Sequence, residues 1–507
     1  METVPAEDDM RAIYTGGLGK LGKSGIICGL APGCSVSALL SGSMESDSAL
    51  NDRPYGIAAI GVYDPGLEEL SLPNAWFESR DIIGRKFAAH TGITSRGISF
   101  LSEQAMALRA IENLKLQTGF EIGESAGLIL SSSSLVPMDQ PDWRRDCLRA
   151  LGRWEDLHER IGPATGLSQE LLRSLKWSDE LKDWDGVRRL ARRIGMSDEQ
   201  LSALERDYLS QLGSLEATTA AVAHEIALSS DQARGVNWGC SGYVRAWEIF
   251  EEELLPQVRP SPEQGFLLVT VGRTSKFTDF GAADTGALFG DFATATLITH
   301  CANRLHPPRL LLSHSSTALP ETRSLSPDAA LLSESLFDYQ RRTDVLTPTP
   351  DGGAERVAER LCWTMDGVGV LYAAGPAMSG AVTRALDSLR LRTTDIQWLL
   401  GHQPGRKVME RAAGGLREHG YRGELPLDLT ARTGNISCSS IPHALALHWD
   451  QLDGLVACPA IGMYAPGSKF MSQGCLMFEA VPLRHHQGLP PIVADAASVG
   501  AELDHVG

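Results

Sequence analysis

Three residues carry side chains suited to chemistry in places where a chain brings such groups together. Cys240 lies in Val236-Asn237-Trp238-Gly239-Cys240-Ser241-Gly242-Tyr243. That stretch reads as the end of a buried strand, a tight turn at Gly239, and an amphipathic helix starting at or next to Cys240 and running to Leu255. At a helix N-terminus free backbone N–H groups point at the sulfur and favour thiolate over thiol, so the sulfur becomes a nucleophile near neutral pH. His402 follows directly on the apolar run Ile396 to Leu400. Asn435 sits in Gly434-Asn435-Ile436-Ser437, a turn ahead of a helix from about Ser440 to Trp449. Singly, each has a plain structural reading: buried cysteines pack as small hydrophobes, and asparagine after glycine is a turn residue. Together, at strand ends where α/β folds collect catalytic groups, they point to a cysteine nucleophile with two polar partners.

The elements that must position them follow from periodicity. Gly56 to Val62 reads as a strand, Ile82 to Ala89 as a short helix, and Thr91 to Gly97 as a turn. Ser102 to Leu116 is amphipathic, with Ala105, Leu108 and Ile111 on one face. Ala126 to Leu130 is an apolar run feeding the serines 131–134, and a helix runs from Leu215 to Ala227. Phe266 to Val271 and Ala293 to Ile298 are strong strands, the second preceded by Phe289-Gly290-Asp291. Residues 303–355, rich in proline and polar residues, read as loops around a strand at Leu310 to Leu312. Gly367 to Leu389 holds one long helix. Gly454 to Cys458 and Gln473 to Val481 read as a closing strand pair, joined by a loop holding Gly462 and Gly467. Strands alternating with helices indicate an α/β protein.

Residues from about Met138 to Gly213 differ: they are charged and helical in pattern, with a capping box at Ser197-Asp198-Glu199-Gln200. Arg188, Arg189, Arg192 and Arg193 place four positive charges along one side of a helix, either a solvated face or a docking patch for an acidic partner. Residues 137–213 are expected to form an inserted helical subdomain or lid. Residues 1–54 are expected to form a flexible extension. Within them Gly17-Leu18-Gly19-Lys20-Leu21-Gly22-Lys23-Ser24 satisfies the phosphate-loop spacing, but it lacks the apolar strand before and the helix after that would cradle phosphate.

At 507 residues the chain accommodates two large domains or one duplicated one. The net charge of -17 argues against nucleic acid as a partner, since phosphate binding needs a basic face. No run approaches the roughly 18 apolar residues of a membrane span. The nine cysteines are scattered, with no CxxC pair and no zinc-ligand spacing, which suggests a reducing, cytoplasmic compartment and no metal.

The motifs resemble those of the β-ketoacyl-acyl-carrier-protein synthase III group of thiolase-fold condensing enzymes. The resemblance covers roughly residues 55–136 and 214–482. It rests on Thr91-Gly92-Ile93 with Arg96, Cys240-Ser241-Gly242-Tyr243, Phe289-Gly290-Asp291, His402-Gln403, Gly434-Asn435-Ile436-Ser437 and Ser440-Ile441-Pro442. It implies a five-layer αβαβα sandwich of two similar halves (55–300, interrupted by the insertion, and 301–484, before a tail at 485–507) and a homodimer. It also implies that Cys240, His402 and Asn435 are catalytic. Cys240 would take an acyl group from a thioester, with its own N–H and that of Gly462 as the oxyanion hole. His402 and Asn435 would hold the enolate left when a malonyl thioester loses carbon dioxide. The carriers are coenzyme A or an acyl carrier protein, with Lys407 and the arginine row as docking candidates, and no cofactor is required.

Departures from the group's pattern bear on substrate. His402-Gln403 continues as Pro404-Gly405 where the group has Ala-Asn, and Lys86 and His90 fall where it has a Trp and an Arg that grip coenzyme A. Other readings stay open: an acyltransferase passing the acyl group to an alcohol or amine, a cysteine hydrolase with Cys-His-Asn in the same order, and a non-catalytic partner subunit. The hydrolase reading lacks the local cysteine signature such enzymes carry.

Overall fold

A computed structural model describes residues 54–137, 197, 199, 213–282, 285–318, 337–463 and 471–481. The proposed extension, nearly all of the insertion with its arginine row, the phosphate-loop match, Gly467 and the tail lie outside the described residues.

The strongest apolar runs become the central strands. β1 (Tyr55–Tyr63), β4 (Ser125–Ser132), β6 (Gly265–Gly272) and β7 (Phe292–His300) are buried almost throughout, as expected for strands covered on both faces. With β5 (Ala233–Val236) they run in the order β1-β7-β6-β4-β5, and β4 is parallel to both β5 and β6. A second group runs β8-β13-β12-β11: β8 (Leu310–Ala318), β11 (Ile396–Leu399), β12 (Gly454–Met463) and β13 (Met471–Ala480). The groups join where Gly56 and Ile57 of β1 pair with Leu311 and Leu310 of β8, making a nine-stranded sheet.

Helices fill three layers around these strands. On one outer face lie α2 (Glu103–Thr118), after a short α1 (Phe87–Thr91), and α3 (Leu215–Glu225). Ser102 and Ser214 cap α2 and α3 through their hydroxyls, satisfying otherwise orphaned N–H groups. On the opposite outer face α5 (Gly367–Leu389) packs on β12 and β13, with α6 (Arg406–Glu418) beside it. The middle layer holds α4 (Gly242–Ile249) and α7 (Ser440–Leu447), buried except at Arg245 and Leu447, as helices in a core are. Tyr243, Trp247, Ile441 and Leu445 share one core cluster with Ile57 and Phe266 from the first strand group and Val456 and Phe478 from the second. This is the thiolase-like α/β sandwich that the motifs imply.

Several local expectations need correction. The short helix is Phe87–Thr91 rather than 82–89, and Thr91–Gly97 is not one turn, because Ser95–Ile98 form β3, paired with β2 (Leu70–Pro73). Within 303–355 the described residues are mainly strand and not loop. β8 extends to Ala318, and β9 (Phe337–Pro348) and β10 (Ala354–Met365) form a long antiparallel hairpin. Its turn, Thr349-Pro350-Asp351-Gly352-Gly353, is a recognisable signal, but alternating charges on both arms hide the strands. Gly462 belongs to β12 and not to a loop.

Candidate functional site

The Cys240 turn is built by its neighbours. Asn237 donates to Leu135 O at 2.6 Å and accepts from Gly239 N at 3.0 Å. Gly239 turns the chain with φ of 51°, a conformation glycine adopts without strain. The helix begins at Gly242, not at Cys240, so the cysteine sits in the turn just before it. Gly462 backs this turn. A Cβ there would lie 2.4 Å from Trp238 O and 2.8 Å from Cys240 N, so only glycine lets β12 approach so closely. Ser472 pins it, donating to Gly462 O at 3.0 Å and contacting Ser241 Oγ at 2.6 Å.

His402 follows β11, its N–H donating to Pro459 O at 2.8 Å. Its Nδ1 lies 3.3 Å from Ser440 Oγ on α7. Asn435 is placed by the Phe289-Gly290-Asp291 segment. Asn435 N donates to Leu288 O at 2.8 Å, and Gly290 N to Asn435 O at 3.2 Å. A Cβ on Gly290 would lie 2.0 Å from Thr433 O, which explains the glycine. The Asp291 carboxylate is a staple: it accepts from Ser99 N and Ser275 N, each at 2.9 Å.

Ser437, quoted in the motif but not among the candidate site residues, joins the set. Its N–H donates to Asn435 Oδ1 at 3.0 Å, and its hydroxyl donates to Cys240 Sγ at 3.1 Å. Because Asn435 Oδ1 is engaged, the amide's donor end is the one left for a ligand. The positive φ of Ser437 (52°) is the feature that aims its hydroxyl, and no sequence signal short of the motif itself discloses it.

Cys240, His402, Asn435 and Gly462 line one cavity of about 330 Å³. Leu288, Phe289, Met365, Val370, Val408 and Ile461 make its walls apolar, while His90 and Lys407, both exposed, stand at its edge. Lys86 is exposed but is not part of the lining. These surroundings overturn the expectation of a thiolate. Burial pushes the Cys240 thiol up to about 12, against the lowering effect of the Ser437 hydroxyl. Desolvation of the charged sulfur outweighs the favourable end of a short helix. Burial likewise lowers His402 to about 3, against a hydrogen bond with the Ser437 backbone, so its imidazole is neutral. Among the described residues no three His, Cys, Asp or Glu side chains are grouped to hold a metal ion, and no helix is long and apolar enough to cross a membrane.

The arrangement therefore offers a thiol nucleophile, a backbone N–H beside it, and two side chains, neutral imidazole and amide, in an apolar channel. Comparisons with known proteins show what the chain as a whole is similar to. The β-ketoacyl-(acyl-carrier-protein) synthase III of Rhodospirillum centenum is 27% identical over 229 residues, covering 45% of this chain and 62% of that protein. The 3-oxopimeloyl-(acyl-carrier-protein) synthase of Rhodothermus marinus is 27% identical over 235 residues, covering 46% and 61%. The chain thus spans about three-fifths of the length of these relatives. Among solved structures, 3-oxoacyl-(acyl-carrier-protein) synthase III from Aquifex aeolicus superposes with a TM-score of 0.51 at 15% identity, over 84% of this chain and 99% of that one. No protein-family model matches. The chain resembles the synthase III condensing enzymes in sequence and shares their fold.

Proposed function

We propose that this synthase III-like chain is a condensing enzyme. It would load an acyl group from a thioester onto Cys240 and join it to a malonyl-type thioester with loss of carbon dioxide. The observation that carries this reading is the convergence of Cys240, His402, Asn435 and Gly462 on one apolar cavity.

In the first step Cys240 Sγ attacks the donor carbonyl, a new S–C bond forms, and the carrier thiolate departs. The proton leaving Cys240 ends on that thiol. By this reading the N–H groups of Cys240 and Gly462 would share the tetrahedral oxyanion. In the second step the malonyl C–C bond to the carboxylate breaks. Its electron pair passes into an enolate whose oxygen accepts from His402 and the Asn435 amide. The enolate carbon then attacks the acyl-Cys240 carbonyl, the C–S bond breaks, and the departing Cys240 thiolate takes up one proton from solvent. A neutral imidazole suits this step, which needs hydrogen-bond donation and no strong base.

Lys407 and His90, at the cavity edge, suit the phosphate of a carrier arm, whether from coenzyme A or a carrier protein. A homodimer belongs to the same reading. Among the described residues β5 pairs only with β4, which leaves an edge for a second copy; sedimentation tests it. A specialised fatty-acid or natural-product pathway would use such an enzyme.

The deciding experiment is intact-protein mass spectrometry of wild type and Cys240→Ala with coenzyme A and carrier thioesters, followed by malonyl thioester. A mass gain on wild type alone, discharged by malonyl thioester with release of carbon dioxide, is expected. A gain discharged only by an alcohol or amine would move the reading to simple acyl transfer. No gain with any donor would overturn both.

A further inference from the structure

One buried charge is not used by the chemistry above. Arg96, on β3, is 0% exposed. Burial pulls its guanidinium down to about 9, which leaves it charged at neutral pH. Among the described residues no carboxylate pairs with it. Nη1 donates to Leu72 O at 3.3 Å, Nη2 donates to Asn74 Oδ1 at 2.7 Å, and Cζ lies 4.3 Å from the centroid of the Phe77 ring. Nε has no partner. A charge buried without a counter-ion is costly, and an apolar side chain of similar volume would fill the same space with less penalty.

The stem of Arg96 packs on the turn that carries Asn435. A Cβ on Gly434 would lie 3.1 Å from Arg96 Cβ, and one on Gly290 would lie 3.3 Å from it. Gly434 precedes Asn435, and Gly290 N donates to Asn435 O. The backbone of β3 grips both flanks of the same turn: Ser95 N donates to Ala431 O at 3.0 Å, and Gly97 O accepts from Asp291 N at 2.9 Å. Arg96 thus stands between the Asn435 turn and the Leu72–Phe77 segment. Its planar guanidinium, held at two acceptors and a ring, fixes the stem more firmly than a flexible apolar chain could. Close packing passes any shift of that stem on to Gly434.

We infer that Arg96 is a positioning residue for the decarboxylating step, holding the turn that aims the Asn435 amide into the cavity. The inference rests on the condensing reading and on the role that reading gives Asn435.

The test measures carbon dioxide released from malonyl thioester by the full chain, as wild type, Arg96→Met, Arg96→Lys, Asn435→Ala and the double variant Arg96→Met with Asn435→Ala. Thermal melting confirms folding. Arg96→Met keeps a stem and removes the grip. It should lower release by about 10- to 100-fold, the effect of a small misplacement of a catalytic group. Arg96→Lys, which keeps the charge and one donor, should recover part of that loss. On top of Asn435→Ala, Arg96→Met should cost little more, because residues acting through one another are not additive. Arg309→Met is the control. Arg309 is also buried, donates to Leu452 O at 2.8 Å and lies outside the cavity lining, so its loss should lower Tm and leave release unchanged. Arg96→Leu, which also lacks the grip, takes the place of Arg96→Met if that variant does not fold. Wild-type release from the folded variant overturns the inference alone, and so does an equal further loss on top of Asn435→Ala. Wild-type release by Asn435→Ala, or no release by wild type, overturns it together with the catalytic reading.

Discussion

Ser437 donates its hydroxyl hydrogen to Cys240 Sγ across 3.1 Å, reaching it from a backbone φ of 52°. A non-glycine residue in that region costs about 1–2 kcal/mol, and the turn is held in place by Asn435 N on Leu288 O and Gly290 N on Asn435 O. The contact lowers a thiol that burial has raised to about 12. Ser437→Ala should therefore raise the thiol further, leaving less thiolate at any working pH. Alkylation of Cys240 by iodoacetamide is expected to slow by about tenfold or more, the equivalent of one hydrogen bond to a charged group. An unchanged alkylation rate in a folded variant would show that the contact does not act on the sulfur.

The proposed roles separate the two half-reactions. His402→Ala and Asn435→Ala should still gain the acyl mass on Cys240, because neither supplies the nucleophile. Both should lose release of carbon dioxide from malonyl thioester by about 10²–10³-fold, the usual effect of removing one donor to a developing oxyanion. Labelled malonyl thioester reads that step directly. Equal loss of acylation and decarboxylation would contradict the division.

Gly462 and Gly414 make a matched pair of tests. A methyl on Gly462 would sit 2.6 Å from Ser241 N and 2.8 Å from Cys240 N, so Gly462→Ala must push the cysteine turn off its position. Lower Tm and a loss of acylation of about 10²–10³-fold are expected. Gly414, inside α6, has nothing within 4 Å of a Cβ. Gly414→Ala should raise stability by about 1 kcal/mol without changing acylation, measured by urea unfolding.

Two buried histidines make the fold acid-sensitive. Burial lowers His402 to about 3, and burial with Arg432 and His448 lowers His443 to about 4. In the unfolded chain both titrate near about 6.5. Between those values the unfolded chain binds more protons, so stability is full above about 6.5 and falls as pH drops towards 4. Asp291, raised by burial to about 6, acts in the opposite sense, since its folded form holds the proton more tightly. The urea midpoint is expected to fall between pH 7 and pH 5, and His402→Gln should flatten that fall. Identical slopes for the two proteins would mean that His402 accepts a proton in the folded state.

Much of the fold was legible because the relevant physics is local. The turn at Gly239, the apolar runs of β4, β6 and β7, and the helices at 102, 215 and 367 each follow from residues close in sequence. The motif residues Cys240, His402 and Asn435 were legible as chemistry by type and context, and the structure brings all three to one cavity. The β9–β10 hairpin was not legible, since both arms carry many charges and their partners are each other. Gly462 reads as a loop residue from its neighbours alone, because its constraint comes from Trp238 and Cys240, far away in the chain.

The sequence by itself determined the order of the central strands and of the helices that pack on them, the glycine that the Cys240 turn demands, and which side chains could be nucleophile and donors. Only the tertiary structure decided that Ser437 touches Cys240, that Gly462 backs the Cys240 turn, and that burial raises the Cys240 thiol. Those facts depend on contacts between residues as far apart as 240 and 437, and on desolvation summed over every wall of the cavity. Neither quantity is written in any local stretch of the chain.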